Sequence, residues 1–280
     1  YDTFPRELPD LFHGTQIEVF GRYKASSAGQ TAVRFSGAAP DGSQTFTVDA
    51  DFPEKREGTD YIASLWASRK IGYLLDQIRL HGESDELVDE VVRLSMEYGI
   101  LTEYTAFLAE EREAPTVHEA ESRARGGMRD AFEVAAPTGA KATSRAQNAQ
   151  VMQQQANMGA TNTYLDAEGN RQRIDNVVNV GQRGFVNRQG RWEDTRYERD
   201  QEVDLQVKAY SEAYFQLSRN FPALNQQMAV GDNVLVIVNG QVVDRRVEGE
   251  SVVLAPNYRV IGYGTKIIVR TLDTPGGPVD

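Results

Sequence analysis

The three histidines are the first residues to weigh for chemistry, because a serine nucleophile needs a base within hydrogen-bond reach. His13 precedes a predicted strand, His81 lies at a predicted helix C-terminus that favours positive charge, and His118 lies in a polar stretch. The chain also contains neither a Gly-x-Ser-x-Gly elbow nor a Gly-x-x-x-x-Gly-Lys phosphate-binding loop. We therefore predict no catalytic residues and no enzymatic activity.

Two strings have the oxygen spacing of a divalent-cation site. Residues 41–45, Asp-Gly-Ser-Gln-Thr, differ by one hydroxyl type from Asp-x-Ser-x-Ser, which coordinates a cation through oxygen atoms. Here Pro40 precedes the string, and Pro-Asp-Gly-Ser is typical of a hairpin turn. In residues 166–170, Gly169 stands at position four of an EF-hand-like loop instead of six, and Val177 replaces the glutamate at position twelve. We predict turns at both strings, and no metal-binding or cofactor-binding residue in the chain.

The remaining polar and aromatic groups favour structural roles. Trp66 and Tyr73 have helical spacing and are predicted to lie in the core, whereas Trp192 fits either a packed hairpin position or a ligand platform. The glutamine-rich stretch Gln147–Gln155 is interpreted as a solvated linker. An acidic run is interpreted as a solvated face that complements a helix dipole; it consists of Glu83, Asp85, Glu86, Asp89 and Glu90.

Composition excludes several functional classes. The chain has 280 residues with 41 acidic and 30 basic side chains, and the net charge of −11 argues against a broad nucleic-acid-binding face. The longest aliphatic run, Val234–Val238, is far too short to span a membrane. The absence of cysteine excludes disulfides, thiolate metal sites and a cysteine nucleophile.

Three segments of residues 1–58 alternate apolar and polar side chains with the period of a half-buried strand. Their apolar positions are Ile17 and Val19, Val33 and Phe35, and Phe46 and Val48. The pattern predicts three antiparallel strands, the first over Thr15–Tyr23. It also predicts one apolar face that requires a covering layer, because so small a sheet is not stable alone.

Residues 60–99 change to the helical period and are predicted to form an αα-hairpin. The first helix is predicted to begin at an N-cap, Asp60, and to stop at Gly82; the second is capped by Ser84 and ends at Gly99. The inner stripes are Ile62, Leu65, Trp66, Leu74, Leu75 and Ile78 in the first helix, and Leu87, Val88, Val91, Val92 and Ser95 in the second.

Residues 111–172 are predicted to be a low-complexity linker that is partly helical or disordered. Glu119–Glu133 and Ala142–Met158 have helical propensity but no wide apolar stripe, so such helices would be weakly anchored. The predicted docking points are Phe132, Val134, Val151 and Met152. Tyr104–Leu108, just before this segment, is predicted to be a short strand.

Residues 173–272 regain order and predict a small α+β module. Turn chemistry predicts hairpins at residues 188–190 and at Asn239–Gly240, while Ser211 caps a short helix and Pro222 opens another helical turn. Strands are predicted around Val177–Val180, Phe185–Val186, Trp192, Val203–Val207, Val234–Val238, Val242–Val243, Val252–Leu254 and Lys266–Arg270.

The predicted fold class is therefore α+β. An antiparallel β-sandwich portion and the αα-hairpin occupy residues 1–110, the linker 111–172, the C-terminal module 173–272, and a frayed tail 273–280.

The predicted αα-hairpin carries a resemblance to a known family. Residues 65–80, 86–95 and 98–108 resemble the segment after the von Willebrand factor A domain in inter-alpha-trypsin inhibitor heavy-chain-like proteins, with Glu103 where the family usually has proline. The resemblance covers most of the chain, but not the predicted linker or the residues beyond about 245. Further matching runs are Leu8–Phe12 with Gly14, residues 21–23, Phe185–Tyr197, Tyr214-Phe215 and residues 229–232, the last three resembling the C-terminal module of bacterial members.

The resemblance implies that this chain follows two domains that it does not contain, a vault inter-alpha-trypsin (VIT) domain and the A domain. Consistent with a fragment or processed product, it opens at Tyr1 without a methionine. Residues 1–60 are then expected to form part of a β-sandwich with the VIT domain. A divalent cation is expected only in the A domain, so this chain is expected to hold no cofactor. The family is mostly extracytoplasmic and works by binding, so the periplasm, the cell surface or secretion is the expected location.

The leading hypothesis is a non-catalytic scaffold or interaction segment of a bacterial cell-envelope or secreted adhesion-like protein. Its expected partners are its own VIT and A domains or an equivalent protein, and other envelope or assembly proteins; no nucleic acid and no membrane-spanning segment are expected. One alternative is a structural subunit of a larger assembly, in which residues 110–172 become ordered on contact with neighbours. A second alternative is a carboxylate-dependent hydrolase that uses Asp166, Glu168 or His118.

Overall fold

The computed structural model describes residues 1–24, 29–40, 42–53, 60–82, 84–110, 115–133, 139–158, 162–222, 224–248, 258–263 and 266–271. Over these residues the chain is a mixed α+β structure, as predicted. Its helices are α1 (Asp60–His81), α2 (Asp85–Tyr98), α3 (Phe107–Glu110), α4 (Val117–Glu133), α5 (Ala140–Gln153), α6 (Glu212–Asn220) and α7 (Leu224–Met228).

The strands fall into one large sheet and three two-stranded ladders. They are β1 (Gly29–Ala39), β2 (Gly42–Phe52), β3 (Asn162–Leu165), β4 (Arg171–Ile174), β5 (Val177–Val180), β6 (Arg183–Arg188), β7 (Arg191–Asp194), β8 (Leu205–Lys208), β9 (Val234–Val238), β10 (Gln241–Arg246), β11 (Tyr258–Tyr263) and β12 (Lys266–Thr271). None of the helices in the described ranges combines the length and apolarity needed to cross a bilayer.

Helices α1 and α2 end where their capping residues predict. The Ser84 hydroxyl accepts a hydrogen bond from the N–H of Leu87, and Gly99 adopts the left-handed conformation with φ 63° and donates its N–H to the carbonyl of Ser95. Helix α1 stops before Gly82, as predicted, and Asp60 is its first helical residue. The predicted inner stripe of α2 is buried except for Leu87, which is half-buried.

The segment predicted as a weakly anchored linker contains two firmly packed helices. One side of α4 buries Ala120, Ala124 and Met128, which repeat every four residues. Helix α5 crosses α1 at Gly72, where an added Cβ would lie 2.7 Å from the carbonyl oxygen of Ala149. Small residues let the two backbones approach closely, so α5 packs here without a wide apolar stripe of its own.

The predicted docking points of that segment have different outcomes. Met152 packs against the core, as predicted. Val151 is 67% exposed, so its predicted docking role is wrong. The side chain of Phe132 and all of Val134 lie outside the described residues.

The six-stranded sheet has the order β5-β6-β7-β9-β10-β8. Two pairs, β7 with β9 and β10 with β8, are parallel, and the other three are antiparallel. Both predicted turns of this sheet are present as two-residue loops with positive φ angles, at Gln189–Gly190 and Asn239–Gly240. Helices α6, with the predicted Ser211 cap, and α7 connect β8 to β9.

Alternation along β5 and β6 places this sheet between two cores. Val177 and Val186 pair across the strands and belong to a core shared with α1, α2, α4 and α5. Val178 and Phe185 pair at the next position and belong to a second core with α6 and α7. The end of α2 touches β6 directly, because Gly99 and Gly184 are in backbone contact and neither has room for a Cβ.

Two predicted strands are wrong. Within Thr15–Tyr23 the backbone pairs with the N-terminal residues and not with β1: Phe20 bridges Phe4, and Arg22 exchanges hydrogen bonds with Tyr1. Helix α1 also holds this segment. The Arg69 guanidinium of α1 donates to the carbonyl of Glu18 at 2.8 Å and stacks over the Phe20 ring.

Tyr104–Leu108 is a turn that leads into α3. The hydroxyl of Thr105 accepts the N–H of Thr102 at 2.9 Å, and the carbonyl of Thr105 accepts the N–H of Leu108, so hydrogen bonds within the segment replace a strand partner.

The strand predicted at Lys266–Arg270 is confirmed as β12, and its partner β11 was not predicted. The strand predicted at Val252–Leu254 and the tail at 273–280 lie outside the described residues.

Candidate interaction surfaces

Strands β1 and β2 form a ribbon with one uncovered apolar face. The register runs without interruption from Gly29 opposite Phe52 to Ala39 opposite Gly42. The two strands are the whole of their sheet in the described part of the chain. We define the ribbon face as the cross-strand pairs Val33–Val48 and Phe35–Phe46. Phe46 is 60% and Val48 55% exposed, so no described element covers this face.

The ribbon is attached to the rest of the molecule at its base. The Tyr23 ring packs against the Phe52 ring with centroids 5.0 Å apart, and the Tyr23 hydroxyl donates to the carbonyl of Pro53. Alternation places Arg34, Asp49 and Asp51 on the opposite face, which is polar. The ribbon therefore has the composition of one layer of a two-layer structure.

A groove of about 550 Å³ lies between α5, the residues that follow it, and β3. We call it the α5–β3 groove. Its ionisable lining residues are Glu103, Tyr164 and Arg171. Its apolar lining includes Leu75, Leu101, Val151, Met152, Met158 and Leu165, and its amide lining Asn148, Gln154, Gln155, Asn157 and Asn162.

Asn148 of α5 organises one end of this groove. Its amide nitrogen donates to the carbonyl of Leu165 at 2.9 Å, and its amide oxygen accepts the N–H of Leu165 at 2.8 Å, as a neighbouring strand would. The same nitrogen also donates to the carboxylate of Glu103. Burial raises the pKa of Glu103, and the hydrogen bonds from Tyr104 and Asn148 and the charge of Arg145 only partly offset this.

A second cleft, of about 600 Å³, lies at the end of the six-stranded sheet beside the β6–β7 turn. Arg188 is buried there and pairs with Glu193 at 3.3 Å, and burial lowers its pKa. Arg188 also donates to the carbonyl of Leu108, which ties this sheet to the helical part. The other three arginines of the cleft also have carboxylate partners: Arg191 has Glu193 and Asp244, Arg246 has Asp244, and Arg199 has Glu119. The cleft is therefore close to charge balance, and its ion pairs join elements of the fold.

The structure does not bring the histidines together into a site. His13 lies in an exposed turn, His81 is the exposed last residue of α1, and His118 is exposed on α4. In the described ranges no three His, Asp or Glu side chains are grouped so as to hold a metal ion.

The string at 166–170 is a turn between β3 and β4, as predicted. Asp166 accepts hydrogen bonds from the side chain of Gln172 and from the N–H groups of Glu168 and Asn170. The bond from Gln172 contributes most to lowering the pKa of Asp166. The string at 41–45 begins at the turn between β1 and β2, and Asp41 itself lies outside the described residues.

The acidic run forms ion pairs as well as a solvated face. Asp89 accepts two hydrogen bonds from Arg125 of α4, and Glu90 pairs with Lys70 of α1 at 2.8 Å and with Arg93. The hydrogen bonds from Arg93, followed by those from Lys70, lower the pKa of Glu90 to about 2. The carboxylates of this helix start therefore help to fix α2 against α1 and α4.

The tryptophans and the glutamine-rich stretch are structural. Trp66 is buried, as predicted, and its indole N–H donates to the carbonyl of Asp2 at 2.8 Å, while Tyr73 packs against the Phe4 ring. Trp192 is half-buried, packs against the second core and lies over Gly231. Gln155 accepts a hydrogen bond from Ser68 of α1, so the glutamine-rich stretch is docked rather than solvated throughout.

Sequence reasoning did not single out Glu103, Asn148 or the arginines of the cleft as members of sites. The one available signal was Glu103 itself, a charged residue where the resembling family usually has proline. Comparisons with protein-family models, with curated proteins and with solved structures find no match to this chain.

Proposed function

We propose that the chain is the non-catalytic, protein-binding segment of a cell-envelope or secreted adhesion-like protein of the VIT and von Willebrand A type. The observation that carries this proposal is the ribbon face, whose phenylalanine and valine pairs are exposed on a two-stranded sheet. A two-stranded ribbon is marginally stable by itself, and burial of each half-exposed side chain on the face would contribute about 1–2 kcal/mol. The face is therefore suited to bind an apolar protein surface.

The size of the ribbon favours a covering sheet over a second copy of this chain. Two strands of eleven residues present a face of about 350 Å², given ~3.4 Å per residue and ~4.8 Å between strands. Two copies packed face to face would bury roughly 700 Å², less than the roughly 1,200 Å² of a stable interface. A larger β-domain that also pairs with a ribbon edge would bury more, and in the proposed role the VIT domain provides it.

The proposal is tested with a purified fragment that contains the VIT and von Willebrand A domains of a bacterial member of the family. We expect native mass spectrometry to detect a one-to-one complex between this fragment and the chain. The double variant Phe35→Ser/Phe46→Ser, which removes the apolar pair, is expected to weaken the complex at least about tenfold.

The matched control is Thr45→Ala, which changes the polar face of the same ribbon. It is expected to bind within about twofold of the parent chain. Absence of a complex with the parent chain, or equal binding by the double variant, would contradict the proposal.

The two alternative functions have less support. Helices α4 and α5 already pack against the core in the free chain, so their order does not require neighbours in an assembly. A hydrolase needs a carboxyl group with a raised pKa as its acid, whereas hydrogen bonds lower the pKa of Asp166. Glu103 does have a raised pKa, but it is the one carboxyl group among the described residues that line its groove.

A further inference from the structure

The edge of β3 that faces away from β4 offers an unused backbone position. In this ladder Leu165 directs its N–H and carbonyl to the Asn148 side chain, on the side opposite β4. Because backbone groups alternate between the two sides of an antiparallel strand, Thr163 directs its N–H and carbonyl to the same outer edge. Thr163 is exposed, and its backbone has no partner on that edge among the described residues. The N–H and the carbonyl of Thr163 are thus available to pair with the backbone of an added strand.

The walls of the α5–β3 groove flank this position with apolar side chains. Met152 and Met158 lie on one wall and pack against the core, and Val151 is 67% exposed at the groove. Methionine side chains adapt their shape to different apolar groups. An extended chain along β3 would place alternate side chains into this apolar part and would cover Val151.

A carboxylate lies at the end of the groove opposite the methionines. Glu103 touches Asn148, which is bonded to Leu165, so the carboxylate lies at the Leu165 end of β3. Arg145 is its nearest cation, at 3.9 Å and outside hydrogen-bond distance, and the other cation that lines the groove, Arg171, is exposed on β4 opposite Leu165. A lysine or arginine side chain in the groove would complement this partly compensated carboxylate.

We infer that the α5–β3 groove binds an extended peptide that adds a strand at Thr163 and places a basic side chain beside Glu103. Backbone pairing provides affinity for any extended chain, and the groove selects an apolar residue near the methionines. The inference goes beyond the proposed function, because it concerns a surface separate from the ribbon face.

The test starts from a displayed library of random heptapeptides selected on the immobilised full chain. We expect enriched sequences to alternate apolar and polar residues and to contain a lysine or arginine. The most enriched peptide, labelled with a fluorophore, then serves as the probe in polarisation titrations of the chain and its variants.

Thr163→Pro removes the outer N–H but no ladder hydrogen bond, so β3 and β4 are expected to stay paired. It should weaken probe binding at least about tenfold, whereas Thr163→Ala, which keeps the backbone, should stay within about twofold. Glu103→Gln should weaken the probe about fivefold or more. Glu103→Gln should not weaken the binding of a control peptide in which the basic residue of the probe is replaced by methionine. Circular dichroism and amide exchange of β3 and β4 verify that each variant is folded.

Three outcomes would overturn the inference: no enriched sequence, binding that survives Thr163→Pro, or enriched peptides of helical pattern. An equal loss in Thr163→Ala would also overturn it, because that variant leaves the strand edge intact. The ribbon variant Phe35→Ser/Phe46→Ser should bind the probe as the parent does, so this test and that of the proposed function fail independently.

Discussion

Helix α2 and the β1–β2 ribbon both have a continuous apolar face in the sequence, but only one of them is covered. Val88, Val91 and Val92 of α2 are fully buried, whereas Phe46 and Val48 of the ribbon are more than half exposed. Helices α1 and α4 cover α2, and no described element covers the ribbon. Periodicity thus shows which face of an element is apolar, and it does not show what lies against that face.

Amide exchange provides the largest expected contrast between the two regions. The ribbon amides are expected to exchange at least on the order of a hundredfold faster than those of α1, because a two-stranded ladder opens without unfolding the core. Hydrogen–deuterium exchange with mass spectrometry measures both in one sample. Similar protection of the ribbon and α1 in the free chain would show that the ribbon face is covered, and would contradict the expected contrast.

A matched pair of truncations compares the two faces energetically. Ile78→Ala in the fully buried part of α1 is expected to lower the free energy of unfolding by about 3 kcal/mol, because it leaves a cavity. Phe46→Ala on the ribbon face is expected to change it by about 0.5 kcal/mol or less. Urea denaturation measures both. A loss of about 2 kcal/mol or more in Phe46→Ala would mean that this face is packed.

The ion pairs of Glu90 give a smaller, pH-dependent effect in the helical region. The folded pKa of Glu90 is about 2, below its ordinary value of 4.5, so its contribution is present above pH 4.5 and is lost as the pH falls towards 2. Because the pairs are partly exposed and screened, we expect Glu90→Gln to cost about 1 kcal/mol at pH 7 and little at pH 2.

The control for this effect is Glu202→Gln, which removes an exposed carboxylate in the loop before β8, away from any helix N-terminus. Urea denaturation at pH 7 and pH 2 is expected to show that the free energy of unfolding of this variant changes with pH by nearly the same amount as that of the parent chain. A constant loss in Glu90→Gln at both pH values would assign its effect to packing instead of charge.

Much of the fold was predictable because local signals determined it. Ser84 and Gly99 mark the ends of α2, and Asn239–Gly240 marks a hairpin, since caps and tight turns depend on a few neighbouring residues. The packing of α4 and α5 was not predictable in this way. Their contacts use alanine and glycine, whose small size brings backbones together without producing a wide apolar stripe.

The candidate sites were predictable to different degrees. The uncovered ribbon face followed directly from alternation, since Val33, Phe35, Phe46 and Val48 occupy one side of two paired strands. The α5–β3 groove was not predictable, because it depends on Asn148 meeting Glu103 across 45 residues of chain and Leu165 across 17. Such contacts exist only once distant elements have packed.

The backbone contact between Gly99 and Gly184 constrains how this chain can be divided or recombined. At this contact the helical half and the sheet half meet backbone to backbone, and Val177 and Val186 of the sheet lie in the helical core. A hybrid that joins one half to a counterpart from another protein would have to inherit both glycines and both valines. We therefore expect that sequences with this fold keep the helical half and the sheet half together.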